Sequence, residues 1–323
     1  MKILVTGAEG SLMQSVIPKL IVQGHEIIGV DNFSRYGEIE RPRNYKLVTG
    51  DLTNSALVNE ITVGVDVIIQ GAAIIYGVQG FHQYPADILG KDVTLHKNIL
   101  DAALKNNVKK VVYISSSMVY ERADTIPSEE TDVDSMLIPL TDYGLSKLVG
   151  ERLSMAYYKQ YGLKYTIWRP FNIITPYEKA EKEIGFSHVF ADFIDRIILK
   201  EENPMRIIGS GDQIRCFTWI EDVSDAIASF SLNDKSDNQV FNIGNPAPIT
   251  MKDLAKKIKN MAFKKKYISD SNIRFYHLDA PTDDVKIRVP SIEKIKKTFG
   301  WNPKVTLEEA LDICLDEAKK LQD

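Results

Sequence analysis

The chain has 323 residues, with 40 basic against 44 acidic side chains, a formal net charge of −4 and a pI near 5.8. At 44% apolar and 26% charged it has the make-up of a globular chain that buries its own core, which excludes disordered, collagen-like and coiled-coil architectures. The pI argues against a nucleic-acid footprint, no apolar run nears the roughly 18 residues of a membrane helix, and Cys216 and Cys314 are too few for a disulfide framework.

In chain order, MKILVTGAEG runs from a short apolar stretch straight into glycines, without the pattern of a signal peptide, so a cytoplasmic protein with two buried thiols is expected. Candidate strands are Lys2–Thr6, Glu26–Val30, Lys46–Thr49, Val67–Gln70, Lys110–Ser115 and Tyr165–Trp168. Between them, amphipathic stretches predict helices over Ser11–Gln23, Ala86–Lys105 and Asp142–Tyr161. Several strands are continuous apolar runs, which points to burial on both faces and a parallel, doubly wound sheet. After Pro170 the pattern turns irregular until Gln239–Ile243, a strand expected to rejoin the sheet. Helices are predicted over Met251–Lys259, Ser291–Phe299 and Leu307–Leu321, and Lys264-Lys265-Lys266 reads as a solvated turn. No repeat is present, and five scattered histidines without HExxH spacing give no reason to expect a metal. The expected organisation is a Rossmann domain of residues 1–174 plus 217–245 and a smaller, mainly helical substrate domain of residues 175–216 plus 246–323.

Gly7-Ala8-Glu9-Gly10 closes the first strand and opens the first helix. There, backbone N–H groups and the helix dipole can hold a pyrophosphate, and glycine permits its close approach. Asp31, at the end of the next strand, can accept hydrogen bonds from both adenosine ribose hydroxyls and would repel a 2′-phosphate, which favours NAD over NADP; Arg35 nearby pulls the other way. Tyr143 and Lys147 stand four apart and share one helix face, downstream of Ser115-Ser116-Ser117 at the carboxyl end of a strand. A tyrosine is a poor base at neutral pH, and a neighbouring ammonium together with a cationic nicotinamide should lower its pKa. The serine hydroxyl can share the proton network of the substrate alcohol.

These pieces, in order, resemble the extended short-chain dehydrogenase/reductases of the NAD-dependent nucleotide-sugar epimerase/dehydratase family over essentially the whole chain. The matching segments are TGAEG (6–10), Asp31, Gly50-Asp51-Leu52, Gly71-Ala72-Ala73, SSSMVYE (115–121), YGLSK (143–147), RPFNI (169–173), GSGDQIRCFTWIEDV (209–223), FNIGNP (241–246) and VPSIEKIKKTFGWNP (289–303). The resemblance implies Tyr143 as catalytic acid/base, Lys147 as its activator and ribose anchor, and Ser116 as hydroxyl partner. It implies NAD contacts at Gly7, Gly10, Ser11, Leu12, Asp31, Asn32, Asp51, Leu52, Gly71, Ala72, Ala73 and Ser115, besides Tyr143 and Lys147. Asn172, Arg215 and Arg288 match positions that hold the phosphates of the sugar nucleotide, with Ser117 and Met118 on the substrate side. The family's third loop glycine falls on Met13, so the first helix is expected to shift or NAD binding to weaken.

Members of the family share oxidation at sugar C4 and differ in the fate of the 4-keto sugar, partly through the residue two after the catalytic serine. Met118 stands where dehydratases carry an acidic pair, UDP-glucuronate decarboxylases a glutamate and GDP-sugar 3,5-epimerases a cysteine; a thioether has no exchangeable proton. That implies C4 epimerisation, with 4-oxidation, decarboxylation or 4,6-dehydration as rivals and an NAD-sensing regulator as the reading outside enzymes. His188 matches the catalytic histidine of the GDP-fucose synthase type and is read as a substrate contact or a structural residue. The motifs around Arg215 and Arg288 resemble those of bacterial UDP-glucuronate decarboxylases and favour a UDP-sugar, with a GDP-sugar as the alternative. The long helices Ala86–Lys105 and Leu145–Tyr161 are similar to the family's four-helix interface and imply a homodimer.

Overall fold

The structure is a computed structural model that describes residues 1–35, 37–38, 40–281 and 285–320. Seven strands form one parallel sheet: β1 (Lys2–Thr6), β2 (Glu26–Asp31), β3 (Lys46–Thr49), β4 (Val67–Gln70), β5 (Lys110–Ile114), β6 (Lys164–Pro170) and Gln239–Ile243. Every residue of β4 and β5 is buried, which is why these strands are continuous apolar runs: helices cover both faces of the sheet. Helix α1 (Ser11–Val22) packs one face through Met13, Val16, Ile17 and Leu20, together with the Ile220–Phe230 helix. The Pro85–Lys105 helix covers the other through Leu95, Ile99, Leu100 and Ala103, against Leu4, Ile28, Ile68 and Val111.

The spatial order is Gln239–Ile243, β6, β5, β4, β1, β2, β3. From β1 the chain winds outward to β3 and then returns to place β4 on the far side of β1. The order therefore reverses between β1 and β4, and the loops leaving these two strands diverge to open a crevice at their carboxyl ends.

All seven expected strands lie on strands of the sheet, with small changes at their ends. The helix expected from Ser291 begins at Glu293, because the Ser291 N–H is engaged by the carbonyl of Ser128 at 2.8 Å. The helix expected to end at Lys259 continues to Lys264, since Ala262 carries the apolar stripe on. The C-terminal helix runs over Leu307–Lys320; Leu321, its expected last residue, lies outside the described residues. Lys265 is more than a solvated turn residue: its ammonium meets Asp312 at 2.7 Å and Asp316 at 2.5 Å and ties two C-terminal helices together.

The irregular stretch after Pro170 holds elements that the periodicity does not reveal. Ile173–Ile174 pairs with Thr218–Trp219, Ile214–Cys216 with Pro248–Thr250, and Met205–Ile208 with Phe275–Leu278. These strands are two to four residues long and form only by pairing across long stretches of chain, so no local period marks them. With the helices Val189–Ile194, Met251–Lys264 and Leu307–Lys320 they enclose a second core around Phe190, Phe193, Ile207, Leu254, Ile258 and Leu315. Cys314 belongs to this core; it and Cys216 are buried free thiols, pushed up to about 12 by burial.

Candidate active site

A cavity of about 480 Å³ opens at the carboxyl ends of the sheet and runs from the glycine loop to the C-terminal elements. Every site residue named from the sequence borders it. Gly7 has φ +65°, and a Cβ there would stand 2.8 Å from the backbone nitrogen of Ala72, so the β1 and β4 loops cross too closely for any side chain. Gly10 is the N-cap of α1, with no side-chain cap and no acidic residue in the first turn. The open N–H groups of this 12-residue helix therefore suit a pyrophosphate. At the end of β2, Asp31 Oδ1 accepts from the Phe33 N–H at 2.8 Å and Oδ2 from the Glu9 N–H at 2.9 Å, which fixes the carboxylate at the cavity edge with lone pairs left for ribose hydroxyls. These features fit NAD. Arg35, expected to weaken the preference for NAD, reaches Glu178 at 3.2 Å and is engaged across the cavity.

Met13 is accommodated against the β4 loop. Its side chain, 2% exposed, lies over Gly71, where a Cβ would come within 2.8 Å of Met13 Cγ. The room that the third loop glycine would give is taken from the β4 loop instead. After β3, where the adenine is expected, Asp51 Oδ1 accepts from the N–H and hydroxyl of Thr53, and Leu52 is buried. Ser115, expected to contact the cofactor, donates its hydroxyl at 2.5 Å to Glu151, which in turn holds Arg169 in a buried ion pair at 2.6 Å.

Tyr143 and Lys147 lie on the Asp142–Tyr161 helix. Its start is fixed by Thr141, whose hydroxyl accepts from the Gly144 N–H at 3.0 Å, and its end by Gly162 at φ +75°. The Tyr143 ring stacks on Phe81 with 4.4 Å between centres, and the Ser116 hydroxyl acts on its phenol, drawing it down. Lys147 is buried; its ammonium donates to the Ile114 carbonyl at 3.3 Å and lies 5.6 Å from the centre of the Tyr143 ring.

Groups of opposite influence act on the phenol. Burial and the charge of Asp92 raise the Tyr143 phenol above its ordinary value, outweighing Ser116, Arg35 and Arg288, which draw it down. Burial likewise lowers the Lys147 ammonium against the pull of Asp92 and Glu151. Asp92 was not visible as a site residue in the sequence. It is buried, accepts from the Ile74 N–H at 2.9 Å and from the Ser146 hydroxyl at 3.3 Å, and is itself raised by burial. Its one sequence signal is a carboxylate among the apolar positions of a long helix.

On the other wall stand Ser117, Met118, Asn172, His188, Arg215 and Arg288. Asn172 holds φ +32°, a conformation more tolerable for asparagine than for most residues, and donates its amide to the Cys216 carbonyl at 2.9 Å. His188 Nδ1 meets both oxygens of Glu178 at 2.7 and 2.8 Å. Burial raises Glu178, but His188 and Arg35 hold its carboxyl below the usual range. Arg288 is buried and its backbone N–H binds the Ile214 carbonyl at 3.0 Å, while Arg215 is half-buried on the Ile214–Cys216 strand. Glu121 is a second carboxylate missed in the sequence. It accepts from the Thr141 N–H at 2.7 Å and hydroxyl at 2.9 Å, and burial pushes it up against the influence of Thr141 and Arg288. Among the described residues no cluster of three metal-ligating side chains occurs, and no helix is long and apolar enough to cross a membrane.

A doubly wound parallel sheet with a glycine loop, an acid after the second strand and a Tyr–Lys–Ser set at its carboxyl edge defines a dinucleotide-dependent enzyme. The sequence model of the NAD-dependent epimerase/dehydratase family matches residues 3–244, and the chain belongs to that family, with NAD as its cofactor. It is 30% identical to a putative UDP-glucose 4-epimerase of Methanocaldococcus jannaschii, over 96% of this chain and 95% of that one. To a UDP-N-acetyl-alpha-D-glucosaminuronate decarboxylase of Bacillus cytotoxicus it is 28% identical, over 99% and 98% of the two chains. The crystal structure of a Thermotoga maritima UDP-glucose 4-epimerase with UDP-glucose superposes with a TM-score of 0.85 at 28% identity, covering 100% of both chains.

Proposed function

We propose that the chain is an NAD-dependent nucleotide-sugar 4-epimerase, with a UDP-sugar favoured over a GDP-sugar. The observation that carries this reading is Met118: it borders the cavity and packs beside Tyr143 and Phe81, and a thioether has no proton to exchange. Chemistry confined to C4 needs no further acid or base. Gly7, Gly10, Ser11, Leu12, Asp31, Asn32, Asp51, Leu52 and the Gly71-Ala72-Ala73 loop would hold the cofactor, with Lys147 on its ribose. Bound NAD supplies a hydride acceptor and donor. Tyr143 takes the proton of the sugar 4-hydroxyl, with Ser116 bridging, and returns it once the 4-keto sugar has presented its other face. Arg215 and Arg288 clamp the diphosphate. In this reading residues 1–174 with 217–245 hold the cofactor, and residues 175–216 with 246–323 hold the sugar nucleotide.

A second reading, decarboxylation of a UDP-uronate, is favoured by Glu121. It borders the cavity at the end of the short helix Ser117–Tyr120, three residues from Met118, and could carry the proton that Met118 lacks. Thr141 engages both of its oxygens, which favours a structural role. Incubating the protein and NAD with UDP- and GDP-sugars, UDP-glucuronate included, separates these readings by chromatography and mass spectrometry. A new peak of unchanged mass supports the epimerase. Loss of carbon dioxide, water or two hydrogens refutes it in favour of the decarboxylase, the dehydratase or the 4-dehydrogenase.

A further inference from the structure

The glutamate inside the glycine loop does something that cradling a phosphate does not require. The Glu9 side chain is only 6% exposed, although the residue borders the cavity. Its Oε2 accepts from Arg41 Nε at 2.9 Å and Nη2 at 2.6 Å and from Arg43 Nη2 at 3.1 Å. Its Oε1 accepts from Arg43 Nε at 3.1 Å, from the Tyr45 hydroxyl, and from Gln14 Nε2 at 3.4 Å. Both backbone groups of Glu9 are engaged as well: its N–H donates to Asp31 Oδ2 at 2.9 Å and its carbonyl accepts from Arg41 Nη2 at 3.2 Å.

A single residue thus joins the Asp31 carboxylate, where the adenosine ribose is expected, to two guanidinium groups. Arginine beside that ribose is the chemistry that accepts a 2′-phosphate, through charge-assisted forked hydrogen bonds. This chain has Arg41 on the cavity border with Asp31 and turns its donors, with those of Arg43, onto an internal carboxylate. Were Glu9 uncharged, Asp31 would oppose a 2′-phosphate with one charge against two guanidinium groups, of which Arg41 borders the cavity.

We infer that Glu9 is a specificity-determining residue: it holds Arg41 and Arg43 in ion pairs beside Asp31, so that the site takes the 2′-hydroxyl of NAD and rejects the 2′-phosphate of NADP. The inference rests on the chain being NAD-dependent and is independent of the fate of the sugar.

The test is Glu9→Gln, which keeps the shape and an acceptor oxygen while removing the charge. Dissociation constants of NAD, NADP and the probe 2′,5′-ADP are measured by calorimetry on the full chain at low and high salt, with thermal melts as a check on folding. NADP should tighten relative to NAD by about tenfold or more, the scale of one charge-assisted hydrogen bond. The gain should extend to 2′,5′-ADP, fade at high salt and vanish in Glu9→Gln/Arg41→Ala. A ratio of NADP to NAD affinity within about twofold of the parent, or equal weakening of both nucleotides in a folded variant, overturns the inference. If Glu9→Gln does not fold, Glu9→Asp, which keeps the charge but withdraws it by one methylene, must move the ratio in the same direction; an unchanged ratio again overturns it. Failure of the parent chain to bind NAD would instead refute the cofactor assignment.

Discussion

Tyr143 is surrounded by groups of both signs, and their balance sets its reactivity. Replacing it with phenylalanine keeps the stacking on Phe81 but removes the proton carrier, so turnover of the cognate nucleotide sugar should fall by about 10² to 10⁴-fold. NAD binding should persist; undiminished turnover would remove Tyr143 from the base role. Asp92 offers a finer probe. Its negative charge raises the phenol, whereas Ser116, Arg35 and Arg288 lower it. Asp92→Asn keeps an acceptor for the Ile74 N–H and removes the charge, so the phenol drops and the acidic limb of the kcat/KM profile should move to lower pH. An unmoved limb would show that Asp92 only shapes the loop. Met118, Glu121 and Glu178 act at this scale too, and none of them could be weighed without knowing what each side chain faces.

The Asp142–Tyr161 helix carries Tyr143 and Lys147 on its first turns, so its N-terminal cap determines where the proposed reactive pair sits. Thr141 has two duties: its hydroxyl accepts from the Gly144 N–H, and its own N–H and hydroxyl donate to Glu121. Thr141→Ala should cost about 1 to 3 kcal/mol in urea unfolding, from a lost cap and a buried carboxylate short of a donor. Thr141→Ser, which keeps the hydroxyl, should recover most of that loss. If alanine and serine prove equally stable, the hydroxyl contributes to neither duty. The glycine loop is likewise an element defined by a close approach, since the backbones at Gly7 and Ala72 leave no room for a Cβ.

At the scale of the whole molecule, buried titratable groups couple folding to pH. His96 lies between Gln70 and the Gly150 carbonyl, 2.8 Å from its Nε2, and burial pushes its pKa down to about 3. The folded chain keeps His96 neutral while the unfolded chain binds a proton below about pH 6.5. Unfolding therefore takes up a proton, and stability falls as pH drops through that value, by about 1.4 kcal/mol per pH unit at most. Chemical denaturation between pH 7.5 and 5 should show this slope, and His96→Gln should flatten it; an unaltered slope would assign the effect elsewhere. The proposed assembly belongs to this scale as well. Leu104, Tyr158 and Tyr161 stand exposed on the two long helices, and light scattering should give twice the chain mass of 36.5 kDa; a monomer would reject the dimer.

The parallel sheet, the glycine loop and the Tyr143–Lys147 pair were legible in the sequence because each is a local pattern. A buried strand is a continuous apolar run, a helix face repeats every three to four residues, and a glycine loop lies between its own strand and helix. The short strand pairs after Pro170, the Asp92 contact with the Tyr143–Lys147 turn, and the guanidinium cluster on Glu9 were not, because they join residues far apart along the chain. Met13 is the plainest instance. By position it promised a displaced helix or weaker NAD binding; the space its side chain fills lies at Gly71, on a loop that only folding brings beside it. The order of residues along the chain set which elements form and which side-chain types meet the cavity. Their charges and partners were set by the folded arrangement, because burial and electrostatic neighbours act through space and leave no period in the chain.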